Sequence, residues 1–204
     1  MNNKILAWLI YSLLAILPIS AQSIEVMPGT YALFTDVQFF EPIVPNYRLS
    51  LFSRTRMALN YDNETDFFSA AYANYTSPAK IGVSLVGRVN NGGGDFDVGP
   101  HYSVQSEKFS LFALASITLT KDANYSWFSI AKFHPQLSEN WKGYISIELF
   151  SVFGSAGHLA SIQRIRLGLD SGPIQFGLAT NLRELGKDLV FTNNNYGLFV
   201  RRVW

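Results

Sequence analysis

Alternation of apolar and polar side chains with a period of two residues is the feature that most constrains the fold of this chain. The clearest example is the stretch Tyr47–Tyr61, with sequence YRLSLFSRTRMALNY. One set of alternate positions is mostly apolar with a tyrosine at each end, whereas the other set contains Arg48, Arg54 and Arg56. A helix would spread these arginines around its surface, but a strand places successive side chains on opposite faces. The stretch is therefore predicted to be a strand with one apolar and one polar face.

The same alternation recurs along the rest of the chain in stretches of roughly ten to thirteen residues. Turn-forming sequences such as NNGGGD, QSEK and DSGP separate these stretches. The clearest recurrences lie at Ala79–Val89, Phe109–Leu119 and Trp141–Phe153 and around Ile165 and Ile174, and the weaker ones at Thr65–Tyr75, Phe96–Val104 and Tyr125–Phe133. This pattern predicts an all-β protein without a domain boundary in its mature part.

Strand length and the position of aromatic residues distinguish a membrane barrel from a soluble β-sandwich, which would also alternate. Strands of globular proteins average about five or six residues, whereas a strand that spans a bilayer needs about 9–11. Tyr47, Tyr61, Trp141 and Phe153 lie at the ends of apolar faces, where outer-membrane barrels carry their aromatic girdles. Because only a closed sheet satisfies every backbone group in lipid, an antiparallel transmembrane β-barrel is predicted.

The composition and the first 21 residues agree with an exported membrane protein. Charged residues make up 15% of the chain, below the roughly 25% typical of soluble domains. A net charge of +1 gives no reason to expect nucleic acid as a partner. Lys4 followed by the apolar run Ile5–Leu17 predicts a signal peptide over residues 1–21 with cleavage after Ala21, and an uncleaved anchor is the alternative. The absence of cysteine excludes disulfides and cysteine-based metal sites.

On these features the chain resembles the bacterial outer-membrane β-barrels. In that class a terminal aromatic residue, preceded by apolar residues at every second position, resembles the signal read by the barrel-assembly machinery. Tyr196, Leu198, Val200 and Trp204 match this pattern, whereas Arg202 stands where an apolar residue is expected. The resemblance implies a bacterial outer-membrane location, with the lipid bilayer, lipopolysaccharide and the barrel-assembly machinery as partners. It carries no activity with it.

The strand count is predicted to be ten, with twelve and then eight as alternatives. Ten strands are expected within residues 47–204, and Tyr31–Phe40 is a possible further strand. Single-chain bacterial barrels have even strand numbers and short periplasmic turns, so the connection Arg183–Asn195 is expected outside and DSGP and QSEK inside. Residues 22–46 remain as a segment that plugs the barrel, caps it or adds two strands.

A set of charged residues is predicted to line the lumen. Its members share the polar face of their strands, and they are Arg54, Arg56, Arg88, Arg164, Arg166, Arg201, Glu148 and Asp170. Rings of arginine or lysine favour anions in pores, so one reading is an anion-favouring constriction. The other reading is internal ion pairing, with Asp66, Asp95 and Asp97 as additional acids, which fills a narrow barrel. Small barrels are filled by side chains, and open aqueous channels appear at 16–18 strands.

Catalytic, metal and cofactor sites are not predicted. His158 lies near Ser155 and Ser161, and a general base beside a serine is suitable for nucleophilic catalysis, but no acid is placed to orient the histidine. A second possible group, Asp95, Asp97 and His101, could activate water only with a second acidic pair, which is absent. The polarity of ordinary loops therefore explains this group and the one around His158. The sequence predicts an outer-membrane barrel that is a narrow solute channel, with a closed structural or assembly component of an envelope complex as the alternative. An outer-leaflet lipid-modifying enzyme is the third choice.

Overall fold

Twelve antiparallel strands close into a barrel in the computed structural model, which describes residues 22–44, 48–62, 64–119 and 123–204. The strands are β1 (Ser23–Pro28), β2 (Ala32–Pro42), β3 (Leu49–Asn60), β4 (Thr65–Thr76), β5 (Ile81–Asn90), β6 (Gly93–Gln105), β7 (Phe109–Thr118), β8 (Tyr125–Phe133), β9 (Lys142–Gly154), β10 (Gly157–Asp170), β11 (Ile174–Leu185), β12 (Val190–Phe191) and β13 (Asn195–Val203). Neighbouring strands pair in chain order, and β13 pairs with β11 and with β1 to complete the ring. The two-residue strand β12 pairs only with β11 and lies outside the ring.

The predicted count of ten strands is wrong, and twelve, the first alternative, is correct. Both additional strands, β1 and β2, lie within residues 22–46. β1 has only six residues, so it contains too few alternations to be recognised as a spanning strand. The predicted signal peptide, residues 1–21, lies outside the described part of the chain.

The two ends of the barrel differ in which connections they hold. The terminal end carries Gln22 and Trp204, whose backbones are hydrogen-bonded at 3.1 Å, together with the DSGP and QSEK turns. The far end carries the connection between β11 and β13, residues 186–194. This arrangement agrees with the predicted sidedness, in which DSGP and QSEK share one end and the long connection lies at the other. In the part of the chain that the structure describes, no helix has the length and apolar character needed to cross a bilayer.

The alternation of the strands separates an apolar outer wall from a mixed interior. Outward side chains such as Leu85, Leu178 and Leu198 are 57–61% exposed on the isolated barrel. The interior contains two buried apolar clusters, one around Met27, Tyr144 and Phe199 and the other around Tyr72, Val86 and Phe128. Charged, amide, hydroxyl and imidazole side chains are buried at other positions. An apolar exterior around a polar interior is the inverse of a soluble protein and is typical of a membrane barrel.

Asn195 strengthens the seam at which the short strand β1 meets β13. Its side-chain oxygen accepts hydrogen bonds from the backbone N–H groups of Tyr31 (2.8 Å) and Ala32 (3.1 Å), and its side-chain nitrogen donates to the carbonyl of Ala32 (3.0 Å). Asn195 is buried. One side chain therefore satisfies the backbone where the ladder between β1 and β13 has ended.

Asn195→Ala is expected to lower the free energy of unfolding by about 1–3 kcal/mol, the cost of leaving buried polar groups without partners. Urea titration of the barrel refolded in lipid vesicles measures the change. Asn140→Ala, at an exposed position of the turn between β8 and β9, is the matched control and should leave the midpoint unchanged. Equal midpoints for the two variants would show that the seam does not depend on Asn195.

Candidate functional site

A layer of paired charges crosses the middle of the lumen. Its arginines are Arg54, Arg56, Arg164, Arg166 and Arg201, and its carboxylates are Glu25, Asp36 and Glu148. Strand register brings these residues to one level, because Asp36 is the direct partner of both Glu25 and Arg56, while Glu148 is the partner of Arg164. We refer to these eight residues as the central layer.

Glu148 joins opposite walls of the barrel. Its carboxylate accepts hydrogen bonds from Arg54 (2.5 Å), Arg56 (2.5 Å) and Arg164 (2.7 Å). Arg54 and Arg56 lie on β3 and Glu148 lies on β9, six strands apart in a ring of twelve. Arg54 also donates to Asp36 on the neighbouring strand, with its Nε 2.8 Å from Oδ1. These contacts therefore tie one side of the lumen directly to the other.

Glu25 organises the second half of the central layer. One of its carboxylate oxygens accepts from Nε (2.9 Å) and Nη2 (2.8 Å) of Arg166, and the other accepts from Arg201 at 2.5 Å. Arg201 also donates to the hydroxyl of Tyr144. Glu25, Asp36 and Glu148 are only 1–2% exposed, so the carboxylates of the layer have no contact with bulk water.

The remaining predicted lumen residues lie apart from this layer. Arg88 pairs with Asp97 at 3.2 Å and with Asp95 at 3.6 Å. Asp170 contacts His134 (2.9 Å) and Gln175 (3.0 Å) and does not pair with an arginine. Asp66, expected as an internal partner, forms a 3.4 Å pair with Arg183 in which both side chains are exposed.

Sequence reasoning missed Glu25 and Asp36, although they supply two of the three carboxylates of the central layer. Both lie on the two strands that the ten-strand count omitted. Asp36 lies on the same face of β2 as Phe34 and Gln38, and all three side chains are buried. That local pattern was the available signal, and a twelve-strand count would have placed the carboxylate inside.

The central layer separates two cavities inside the barrel. The far cavity, of about 520 Å³, is lined by Arg56 and Arg164 and by far-end residues such as Asn193. The terminal cavity, of about 400 Å³, is lined by Arg54 and Lys132 and by Gln22 at the terminal end. No residue lines both cavities. The lumen thus has an approach from each end and a charged partition between them.

The predicted assembly residues lie along the outer wall on β13, from Tyr196 near the start of the strand to Trp204 at the terminal end. Tyr196, Leu198 and Val200 are all at least half exposed on the isolated barrel, and Trp204 is nearly so. The guanidinium of Arg202 stacks over the Trp204 ring at 5.2 Å from its centroid. Adjacent Arg201 and Arg202 therefore point to opposite faces, Arg201 into the central layer and Arg202 outward.

Of the two possible catalytic groups in the sequence, the structure assembles one. His101 contacts Thr76 (2.9 Å) and Ser84 (2.8 Å), whereas Asp95 and Asp97 contact Arg88. His158 and Ser161, in contrast, are hydrogen-bonded at 2.8 Å, and Ser155 lies apart from them in the exposed turn between β9 and β10. Within the described residues, no cluster of three or more His, Asp or Glu side chains could hold a metal ion.

Comparison with solved structures identifies the fold. The NanC porin matches with a TM-score of 0.56 and 10% sequence identity, over 89% of this chain and 98% of that protein. The KdgM porin in complex with disordered oligogalacturonate matches with a TM-score of 0.54 and 8% identity, over 89% of this chain and 99% of that protein. No protein-family model matches the sequence, and no curated protein matches it.

These similarities confirm the predicted porin-like fold. Because the sequence identities are only 8–10%, the similarities support the fold and no further property. The apolar outer wall of a closed barrel is the surface that a bilayer covers. The wall and the porin fold together place the chain in the bacterial outer membrane, as the sequence predicted.

Proposed function

We propose that this protein is a narrow channel for small solutes in which the central layer forms the constriction. The observation that carries the proposal is the pair of cavities, which approach one another from the two ends of the lumen. The far cavity ends at Arg56 and Arg164 and the terminal cavity at Arg54, all of them members of the central layer. A barrel that served only as a membrane anchor would have no need for space on both sides of a charged partition.

The charge of the central layer favours anions. Five arginines share three carboxylates, and Lys132 adds a further cation on the wall of the terminal cavity. Excess positive charge in a region of low dielectric constant attracts anions and repels cations, as rings of arginine or lysine do in known pores. A solute that reaches the constriction is therefore expected to be small and negatively charged.

In this proposal the conformation described here corresponds to the closed channel. The proposal is supported by the burial of Arg54, Arg56, Arg166 and Arg201, which are all below 8% exposed. Conduction requires the contacts between β3 and β9 through Glu148 to separate. The channel is accordingly expected to show long closed periods interrupted by openings of low conductance.

Arg56→Gln tests the source of the selectivity with little disturbance of the pairing. Without Arg56, Glu148 still contacts Arg54 and Arg164, and Asp36 still contacts Arg54. The variant should therefore fold and should shift the reversal potential toward zero in a KCl gradient across a planar bilayer. Arg48→Gln, at an exposed position at the terminal end, is the control. An unchanged reversal potential in Arg56→Gln would contradict the assignment of the constriction.

A permanently closed structural or assembly component of an envelope complex is the second candidate. The burial of the whole central layer favours it, since internal ion pairing also fills a narrow barrel without any transport. This candidate predicts no current from the purified barrel at any voltage. The prediction applies to the wild type and to variants in which side chains of the central layer are truncated.

The same proposal includes the partners that would insert the barrel into the outer membrane. The outward strip of Tyr196, Leu198, Val200 and Trp204 is proposed as the signal for the barrel-assembly machinery, supported by its exposure on the last strand. Far-end connections would then face lipopolysaccharide on the cell surface, and the terminal end would face the periplasm.

A further inference from the structure

A hydrogen-bonded serine–histidine pair lies on the outer wall of the barrel near the far end. Ser161 on β10 is the direct partner of Ser151 on β9 and of Glu184 on β11. Glu184 accepts a hydrogen bond from the side chain of Gln163 at 2.9 Å. A polar group of this kind is unexpected on the lipid-facing side of a barrel, where charged and polar side chains are destabilising.

A β-bulge creates the pair. In a regular strand, residues three apart point to opposite faces, so His158 and Ser161 would lie on different sides of the wall. The register between β9 and β10 shifts between His158 and Ala160, so that Leu159 is the extra residue. His158 and Ser161 consequently share the outer face. Bulges that re-aim a side chain are common next to active sites.

The hydrogen bonds around His158 fix the direction in which protons can move. Its Nδ1 is 2.7 Å from the carbonyl oxygen of Gly186, which can only accept, so Nδ1 carries the proton. In the neutral ring Nε2 is then an acceptor, and the Ser161 hydroxyl, 2.8 Å away, donates to it. The Ser151 hydroxyl, 2.7 Å from Ser161 Oγ, donates in turn to Ser161. A serine, a basic imidazole nitrogen and a group that orients the imidazole form the arrangement of a nucleophilic hydrolase.

The position of the pair along the wall suits a membrane lipid. Toward the terminal end the same face carries exposed Ile147 and Ile165, which belong to the apolar belt. Toward the far end it carries Tyr125 and Phe153, which are direct partners across β8 and β9 and are both exposed. Aromatic residues of this kind mark the interface of a bilayer. Lipid ester groups lie at that depth, between the acyl chains and the headgroups.

We propose that Ser161 and His158 hydrolyse a fatty acyl ester of an outer-leaflet lipid. Ser161 Oγ attacks the ester carbonyl while its proton passes to His158 Nε2, and that proton then leaves with the alcohol of the lipid as the carbon–oxygen bond breaks. Water, deprotonated by His158, attacks the acyl-serine, releases the fatty acid and restores Ser161. The Ser151 hydroxyl, 2.7 Å from Ser161 Oγ, would be a hydrogen-bond donor beside the attacked carbonyl. This activity departs from the sequence-based expectation of no enzyme, because the bulge that joins the two residues is not visible in the sequence.

A small fluorophosphonate tests the nucleophile directly in the purified, refolded barrel. Ser161 is only 6% exposed, so a small probe is needed. Mass spectrometry of peptides should find the probe on Ser161 in the wild type and in Ser155→Ala, the control at the exposed turn, and nowhere in Ser161→Ala. His158→Ala should slow labelling by about 10²–10⁴-fold, the usual contribution of a general base. Heat-dependent gel mobility verifies that each variant is folded.

The lipid arms of the experiment identify the ester. Wild-type barrels are incubated in vesicles of phosphatidylethanolamine or in vesicles that contain lipopolysaccharide, and free fatty acid and the deacylated lipid are measured. Release from the first assigns a phospholipid ester, release from the second assigns an ester of the lipopolysaccharide anchor, and Ser161→Ala should release neither. A folded wild type that is unlabelled and releases no fatty acid from either vesicle would overturn the proposal. The channel plays no part in this test, so the two proposals can fail independently.

Discussion

Glu148→Gln should lower the free energy of unfolding by about 3–5 kcal/mol, the usual cost of removing one partner from a buried ion pair. Glu148 accepts hydrogen bonds from Arg54, Arg56 and Arg164, and it is 2% exposed. The amide has the same shape but no charge. Like charges of the three guanidiniums would then repel one another without screening by water.

Urea unfolding of the refolded barrel in vesicles measures this loss. Glu139→Gln is the matched control, because Glu139 is exposed in the turn between β8 and β9, and it should leave the transition unchanged. Equal transitions for the two variants would mean that Glu148 does not hold the arginines together. The opposite walls of the lumen would then be joined by other contacts.

The second large effect is expected from Asp36→Ala combined with Arg54→Ala. Both members of one pair are removed, and Glu148 retains Arg56 and Arg164, so no carboxylate is left unpaired. Hydrogen bonds to charged groups contribute about 1.5–3 kcal/mol each, so the ratio of open to closed channels should rise at least about tenfold. One of the two contacts between β3 and Glu148 is then lost, so planar-bilayer recordings should show more frequent openings.

Removal of an exposed ion pair provides the control for that experiment. Asp66→Ala with Arg183→Ala removes one positive and one negative side chain that form a 3.4 Å pair outside the central layer, and it should leave the channel largely closed. If the variant that lacks Asp36 and Arg54 conducts no more than the wild type, the central layer does not limit passage. The closed structural component would then be the better description of this protein.

The central layer shows how far the sequence could be interpreted. Alternation placed Arg54, Arg56, Arg164, Arg166 and Arg201 on polar faces, and all five are inside the barrel. It placed Glu148 among them but did not give the specific pairs, because a contact such as Arg54 to Glu148 depends on the number of strands between them. Two omitted strands change which residues face one another across the ring.

Local irregularity set a second limit. The pair of His158 and Ser161 depends on one extra residue in β10, and a single-residue shift reverses which face every following side chain occupies. Gly154 and Gly157 mark the turn just before the bulge, but nothing in the sequence indicates that Leu159 is an extra residue.

By itself the sequence determined that this chain forms a closed barrel with an apolar exterior and arginines inside, because the period of a strand is set by the backbone and requires no knowledge of neighbours. Tertiary structure alone decided that the barrel has twelve strands, that Glu25 and Asp36 join Glu148 as partners of the arginines, and that the central layer lies between two cavities. These features depend on which strands meet when the sheet closes, and closure joins residues such as Glu25 and Arg201 from the two ends of the chain.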